Sequence, residues 1–158
     1  MIKYFSILIL VIVSRHCLYC QSVFDKEKMD KKTYKLISKY SKQLQGAGYL
    51  EYKVISDLDC DGINDTLILF GVEAIYRSAN GTKQFLGIWL SSEANKGIAV
   101  KEVGERGSRI IDTVYVQDHD IFLSSRIYGD IDAQCCPSIY DTVIYRIENG
   151  EILEVNRK

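Results

Sequence analysis

Hydrophobic and polar positions divide the chain into three stretches with different periods. From Tyr4 to Val13 the residues are uncharged, with hydroxyls only on Tyr4 and Ser6, and Lys3 stands before them. About ten such residues are half of the roughly twenty that a bilayer core requires. The run therefore reads as the hydrophobic region of a signal peptide, residues 1–20, and not as a membrane span. The polar stretch Ser14-Arg15-His16-Cys17-Leu18-Tyr19-Cys20 ends it, and the small Cys20 places cleavage before Gln21. In the competing reading Cys20 is acylated and retained, which gives a lipid-anchored envelope protein. The bulky Tyr19 before Cys20 argues against this, as His16 does for Cys17.

The second stretch has a helical period. Between Asp25 and Gln45 the apolar residues Met29, Leu36, Ile37, Tyr40 and Leu44 recur every three to four positions among many lysines, which predicts an amphipathic helix with a solvated basic face. Asp25, Glu27 and Asp30 are interleaved with the lysines, so the face reads as ordinary solvated surface and not as a polyanion patch. Gly46-Ala47-Gly48 reads as the end of the helix.

After Tyr49 short runs of β-branched and aromatic residues alternate with turn residues. Tyr49–Ile55, Thr66–Tyr76, Lys83–Leu90, Ile98–Val103, Arg109–Val116, Asp120–Tyr128, Tyr140–Ile147 and Glu151–Val155 are the eight candidate strands. Asn80-Gly81 and Asn149-Gly150 supply the positive φ values of tight hairpin turns. Thr66–Phe70 is almost wholly apolar and predicts a central strand. Ile121, Leu123, Ser125 and Ile127 alternate with more polar neighbours, as in a strand with one buried face. The fold class is thus mainly β (α+β): one N-terminal amphipathic helix, then about eight mostly antiparallel strands in a compact sandwich or small propeller-like domain. Residues 21–158 read as a single domain, and no repeat of twenty to fifty residues supports a full propeller of similar blades.

Charge excludes some partners. The chain carries 20 Lys and Arg against 21 Asp and Glu, and without the first twenty residues 18 basic side chains face 21 acidic ones. That balance argues against nucleic acid, and a membrane becomes a partner only if Cys20 is lipidated. The expected form is an exported monomer, periplasmic or extracellular. In that oxidising setting the retained Cys60, Cys135 and Cys136 allow one disulfide in three ways: Cys60 with Cys135, Cys60 with Cys136, or the adjacent pair.

The sharpest chemical signal is Asp57-Leu58-Asp59-Cys60-Asp61-Gly62-Ile63-Asn64-Asp65. Its carboxylates stand at relative positions 1, 3, 5 and 9, with Gly62 at 6 and the backbone carbonyl of Ile63 available at 7. A tight loop of this spacing turns oxygen ligands toward one hard cation, and oxygen-only donors point to Ca2+ over zinc or copper. Four carboxylates in nine residues repel one another, and a divalent cation removes that cost. The expected metal set is Asp57, Asp59, Asp61, Ile63 and Asp65, with the ion stabilising the loop and taking no part in catalysis. The bland alternative is an acidic surface turn. Position 12, where a helical EF-hand carries a bidentate Glu, is Ile68 within the apolar run, so strands and not helices flank this loop.

On these residues the sequence resembles the calcium loops of integrin-α FG-GAP and VCBS repeats, in which Asp-x-Asp-x-Asp-Gly-x-x-Asp joins two strands. The resemblance covers Asp57 to about Phe70. It departs at position 4, usually Gly or Asn, which is Cys60, a thiol that a bridge could tie to Cys135 or Cys136. The order of elements is similar to that of small exported bacterial proteins, including periplasmic lysozyme inhibitors of compact propeller-like fold, which implies a binding or inhibitory role.

Other constellations are weaker. Asp130 and Asp132 precede Cys135-Cys136-Pro137, which lacks the Cys-x-x-Cys spacing of a redox site and reads as a structural disulfide in a turn. A second ion at Asp130 and Asp132 competes there with a plain solvated turn. His119, the one histidine after residue 20, lies in an Asp-His-Asp run expected to form a hairpin turn, and one histidine makes no multi-histidine zinc site. A Cys-His pair with Cys135 or Cys136 is conceivable, but no nucleophile elbow, phosphate loop or His-Glu-x-x-His helix accompanies it. Exposed tyrosines and Trp89 suit a recognition surface, though most such side chains in a β fold are core.

The reading is a non-enzymatic, exported, calcium-stabilised binding module of the cell envelope. Its partner is an envelope protein or glycan, and its specific form is an inhibitor of a wall-degrading enzyme such as lysozyme. The alternatives are a metal-dependent hydrolase using the Asp loop and a purely structural surface lipoprotein.

Overall fold

The computed structural model describes residues 29–74, 81–91, 99–133 and 135–155. The signal peptide, the cleavage position before Gln21, Cys17, Cys20 and the expected helix residues 25–28 lie outside these, as does Asn80. The element order is α1 (Lys31–Leu44), β1 (Gly46–Ser56), β2 (Asp65–Ala74), β3 (Thr82–Trp89), β4 (Ala99–Glu105), β5 (Arg109–Gln117), β6 (Asp120–Ile127), β7 (Ile139–Glu148) and β8 (Glu151–Glu154).

The helix starts later than its apolar period suggests. Asp30 caps it, its carboxylate accepting from the backbone N–H of Lys32 at 3.0 Å and of Thr33 at 2.9 Å, so Met29 lies before the first turn. The same carboxylate is partly buried, which opposes ionisation, yet the hydrogen bonds from Thr33 and the Lys53 ammonium hold it well below the usual range. Asp30→Ala is expected to cost about 0.5–2 kcal/mol, the range for lost caps, read as a lower urea midpoint.

Gly46-Ala47-Gly48 does not end the helix. Gln45 does so in the left-handed region at φ 51, and the glycines open β1. Glycine is required there for packing: a Cβ on Gly46 would stand 2.5 Å from the Glu73 carbonyl oxygen, and one on Gly48 would collide with Ser41 and Ile37 of α1.

All eight strands form one antiparallel sheet in sequence order, where the sequence left open a sandwich or a small propeller. β2 is its most buried member, with Leu67, Ile68, Leu69 and Phe70 at 1% exposure or less. Ile68, Phe70 and Val72 pack with Leu36 and Ile37 of α1 in one core. Leu67 and Leu69 face a second core shared with Ile111, Val114, Ile121, Leu123 and Val143 of the later strands. The strands on the two sides of the β4–β5 junction, which pair only at Glu105 and Arg109, thus contribute to one core.

Polar side chains bridge the halves beside that weak junction. Gln84 of β3 donates through Nε2 to the Ile111 carbonyl at 3.0 Å and accepts from the Ile111 N–H at 2.7 Å. Tyr52 of β1 donates its hydroxyl to the Asp112 carbonyl. Tight turns follow the expected chemistry: Asn149 and Gly150 join β7 to β8 at φ 53 and 80, and Asp118-His119 join β5 to β6 at φ 50 and 66. Among the described residues no helix is long and apolar enough to cross a membrane.

Candidate metal centre

The acidic loop joins β1 to β2, with strands on both sides. Three of its carboxylates converge: Asp57, Asp59 and Asp61 each offer an oxygen, and these oxygens lie within 4.8 Å of one another. Backbone amides hold the group in place. Asp57 accepts from the N–H of Asp61 at 3.2 Å and of Gly62 at 3.1 Å, and Asp61 accepts from the N–H of Ile63 at 2.7 Å. The chain bends through Cys60 at φ 64 and Gly62 at φ 82. The left-handed conformation at position 4 explains why Gly or Asn suits that place, and Cys60 adopts it at a cost of about 1 kcal/mol or more.

Asp65 stands apart from the converging three. It is fully buried, and its two oxygens accept from the N–H of Leu58 at 2.9 Å and of Ser91 at 2.7 Å. Ser91, just past β3, also donates its hydroxyl to the Asn64 carbonyl at 2.6 Å. Asp65 therefore fastens both ends of the loop to each other and to the next hairpin. Leu58, 1% exposed, plugs the same loop into the shared core. The side chain of Ile63 points outward and is half exposed, which leaves its carbonyl as its only donor of interest.

His119 adds a tie that the sequence did not suggest. Its Nδ1 lies 2.9 Å from the Asp57 carbonyl oxygen, and since a carbonyl only accepts, that nitrogen carries the proton. The β5–β6 turn is thereby fixed to the first residue of the acidic loop.

The cysteines divide between opposite ends of the sheet. Cys135 and Cys136 are joined to each other, and Cys60 is a free, exposed thiol. β6 starts beside His119 at the acidic loop and runs about 25 Å to the loop that carries Cys135 and Cys136. A bridge needs Cα atoms within about 7 Å. This rules out the pairing of Cys60 with either, and equally a Cys-His pair with His119. In the β6–β7 loop Asp132 accepts from the N–H of Gly129 and from the N–H and hydroxyl of Ser138, at 2.8, 2.8 and 3.0 Å. These bonds hold its carboxyl below the usual range and commit it to its own loop, while Asp130 is exposed.

One partly buried acid gave no sequence signal. Glu51 of β1 accepts from Gln84 Nε2 at 3.0 and 2.8 Å. Burial pushes it up to about 7, against the hydrogen bonds from Gln84 and Tyr49 and with the charge of Asp112. Burial together with Glu51 and Glu73 in turn raises the Tyr49 phenol to about 12.

Comparison with protein-family models, with curated proteins and with solved structures found no match.

Proposed function

We propose that the chain is an exported, calcium-stabilised binding module of the cell envelope, with an envelope protein or glycan as its partner and inhibition of a wall-degrading enzyme such as lysozyme as its role. In this reading the two halves of the sheet act as the layers of a compact sandwich-like body. The observation that carries the metal half is the convergence of Asp57, Asp59 and Asp61. Ligands on opposite sides of a calcium ion are separated by at most about 4.6–5.2 Å, and three carboxylate oxygens within 4.8 Å fit inside that limit. These side chains and the Ile63 carbonyl would hold the ion, while Asp65 keeps the loop closed beneath it. The ion would supply charge neutralisation and order, and no step of chemistry.

The binding half rests on the β6–β7 loop and the strand after it. Ile131 is 98% exposed, and Tyr140 and Ile139 stand out nearby at 81% and 50%. Contiguous exposed apolar patches mark contact surfaces, and we read these three side chains as one.

Calcium is expected to raise the melting temperature of the chain from residue 21 onward. At ten times the dissociation constant the gain is about 1.4 kcal/mol, and Asp59→Asn is expected to abolish it, with the melt in chelator no lower than the parent's because one repelling charge is gone. Equal melts in calcium and chelator would remove the metal half. Pull-down and lysozyme-inhibition assays in calcium and in chelator test the other half, which fails if no partner is captured and no inhibition occurs under either condition.

A further inference from the structure

The helix α1 carries a face that the near-neutral net charge conceals. Lys31, Lys32, Lys35, Lys39 and Lys42 are all exposed, and no acid lies within Lys31–Leu44. At about 100° per residue the five fall within about 100° of arc, spread over about 17 Å of helix. That arc is turned away from Leu36 and Ile37, which pack on β2. The acids that interleave with lysines in the sequence do not do so on the helix. Asp30 stands before the first turn, where it accepts from the N–H groups of Lys32 and Thr33 and pairs with Lys53 at 2.9 Å. Asp25 and Glu27 lie outside the described residues. None of the five ammonium groups has an ion pair among the described residues. Lys39 lies over the ring of Tyr40, its Nζ 5.8 Å from the centre, a contact that leaves its charge in place.

The rest of the molecule has the opposite sign. Residues 45–158 carry 11 basic against 18 acidic side chains, so the total averages two opposed regions. Charge asymmetry of this kind fits an extended anion as partner, and the field it creates turns the helix toward that anion and the sheet away. Three features favour a membrane surface. The apolar side of α1 is spent on the sheet, so the lysines form a convex ridge that meets a plane along its length and encloses no groove for a polymer. The cations are all lysine, hydrated point charges suited to diffuse attraction by many headgroups, with none of the guanidinium forks that grip a single anion. Tyr34, 66% exposed, stands on the same helix beside the ridge, and tyrosine is favoured at the headgroup level. We propose that α1 docks the chain on an anionic phospholipid surface, its lysines against the headgroups and without insertion. This face is separate from the acidic loop and from the exposed side chains of the β6–β7 loop.

The test is co-sedimentation of the chain, from residue 21 onward, with lipid vesicles in chelator. No calcium then bridges the acidic loop to lipid, so the outcome is distinct from that of the calcium reading. Vesicles rich in phosphatidylglycerol are expected to bind the chain reversibly and vesicles of phosphatidylcholine alone to leave it in solution. About 1 M salt, which screens charges beyond about 3 Å, should release it. Lys35→Gln with Lys42→Gln is expected to weaken binding about thirtyfold, roughly fivefold for each lysine at the surface. Lys83→Gln with Arg146→Gln removes the same charge from ion pairs on the sheet and is expected to leave binding nearly unchanged. No binding to anionic vesicles, equal binding to neutral ones, equal loss in the two double variants, or tighter binding to heparin or duplex DNA than to the same concentration of lipid charge would each overturn the proposal. Should a variant not fold, the comparison of vesicles, heparin and DNA on the unaltered chain decides the matter by itself.

Discussion

Asp65→Ala is expected to destabilise the fold by about 3–5 kcal/mol, far more than any change at Asp57, Asp59 or Asp61. The carboxylate is at 0% exposure and accepts two backbone amides, from Leu58 and Ser91. A hydrogen bond to a charged group is worth roughly 1.5–3 kcal/mol, and removing the acceptor leaves the donors unsatisfied. Two such bonds set the magnitude. The loss would also free Leu58 from the shared core and detach β3 from the loop. For a chain of this size the melting temperature should fall by roughly 10 °C, in calcium and in chelator alike. A fall of under about 1 kcal/mol in urea titrations would show that Asp65 does not clamp the loop. The contrast with Asp59→Asn separates two roles that the sequence motif merges: Asp65 closes the loop whatever is bound, and in the proposed reading the outer three carboxylates would receive the ion.

Glu51→Gln is expected to act in the opposite direction and to depend on pH. The acid titrates near 7 in the fold against 4.5 in the unfolded chain. Below 4.5 it is protonated in both states and costs nothing. Between 4.5 and 7 the unfolded chain ionises while the fold keeps the proton, so stability falls as pH rises through this window, by about 3 kcal/mol in full. Above 7 both states are ionised and the loss stays constant. Glutamine preserves a partner for Gln84 without the charge, so the variant should match the parent near pH 4.5 and exceed it by up to about 3 kcal/mol at pH 8. Denaturation at both pH values checks this, and parallel profiles for parent and variant would contradict the assigned burial.

The parts of the fold that were legible in the sequence are those with a local cause. The run Thr66–Phe70 forms the strand buried on both faces, because every residue after Thr66 in it is apolar. Asn149-Gly150 and Asp118-His119 make two-residue turns because these residues accept positive φ. The carboxylate spacing of Asp57, Asp59 and Asp61 brings their oxygens together over five consecutive positions. What was not legible depends on distant approach. Gly46 and Gly48 read as a helix stop, yet they are small because α1 and β2 pack onto them. Tyr52 with Asp112, and Gln84 with Glu51 and Ile111, form polar bridges between sequence positions 27 to 60 apart, and no periodic pattern announces such contacts. The choice among three disulfides was a question of strand length, since β6 carries Cys135 and Cys136 away from Cys60. Asp65 looked like a fourth ligand because its spacing is right, and only its burial beside Ser91 shows a carboxylate already satisfied by amides.

Isothermal titration of calcium into the chain from residue 21 onward, with Asp59→Asn as its partner, puts the central claim to the most direct test. The account predicts saturable heat for one site at a dissociation constant of roughly 0.1–1 mM, the range of extracellular modules, with magnesium weaker and the variant silent. Flat titrations for both ions on a folded protein, or unchanged heat in Asp59→Asn, would contradict it.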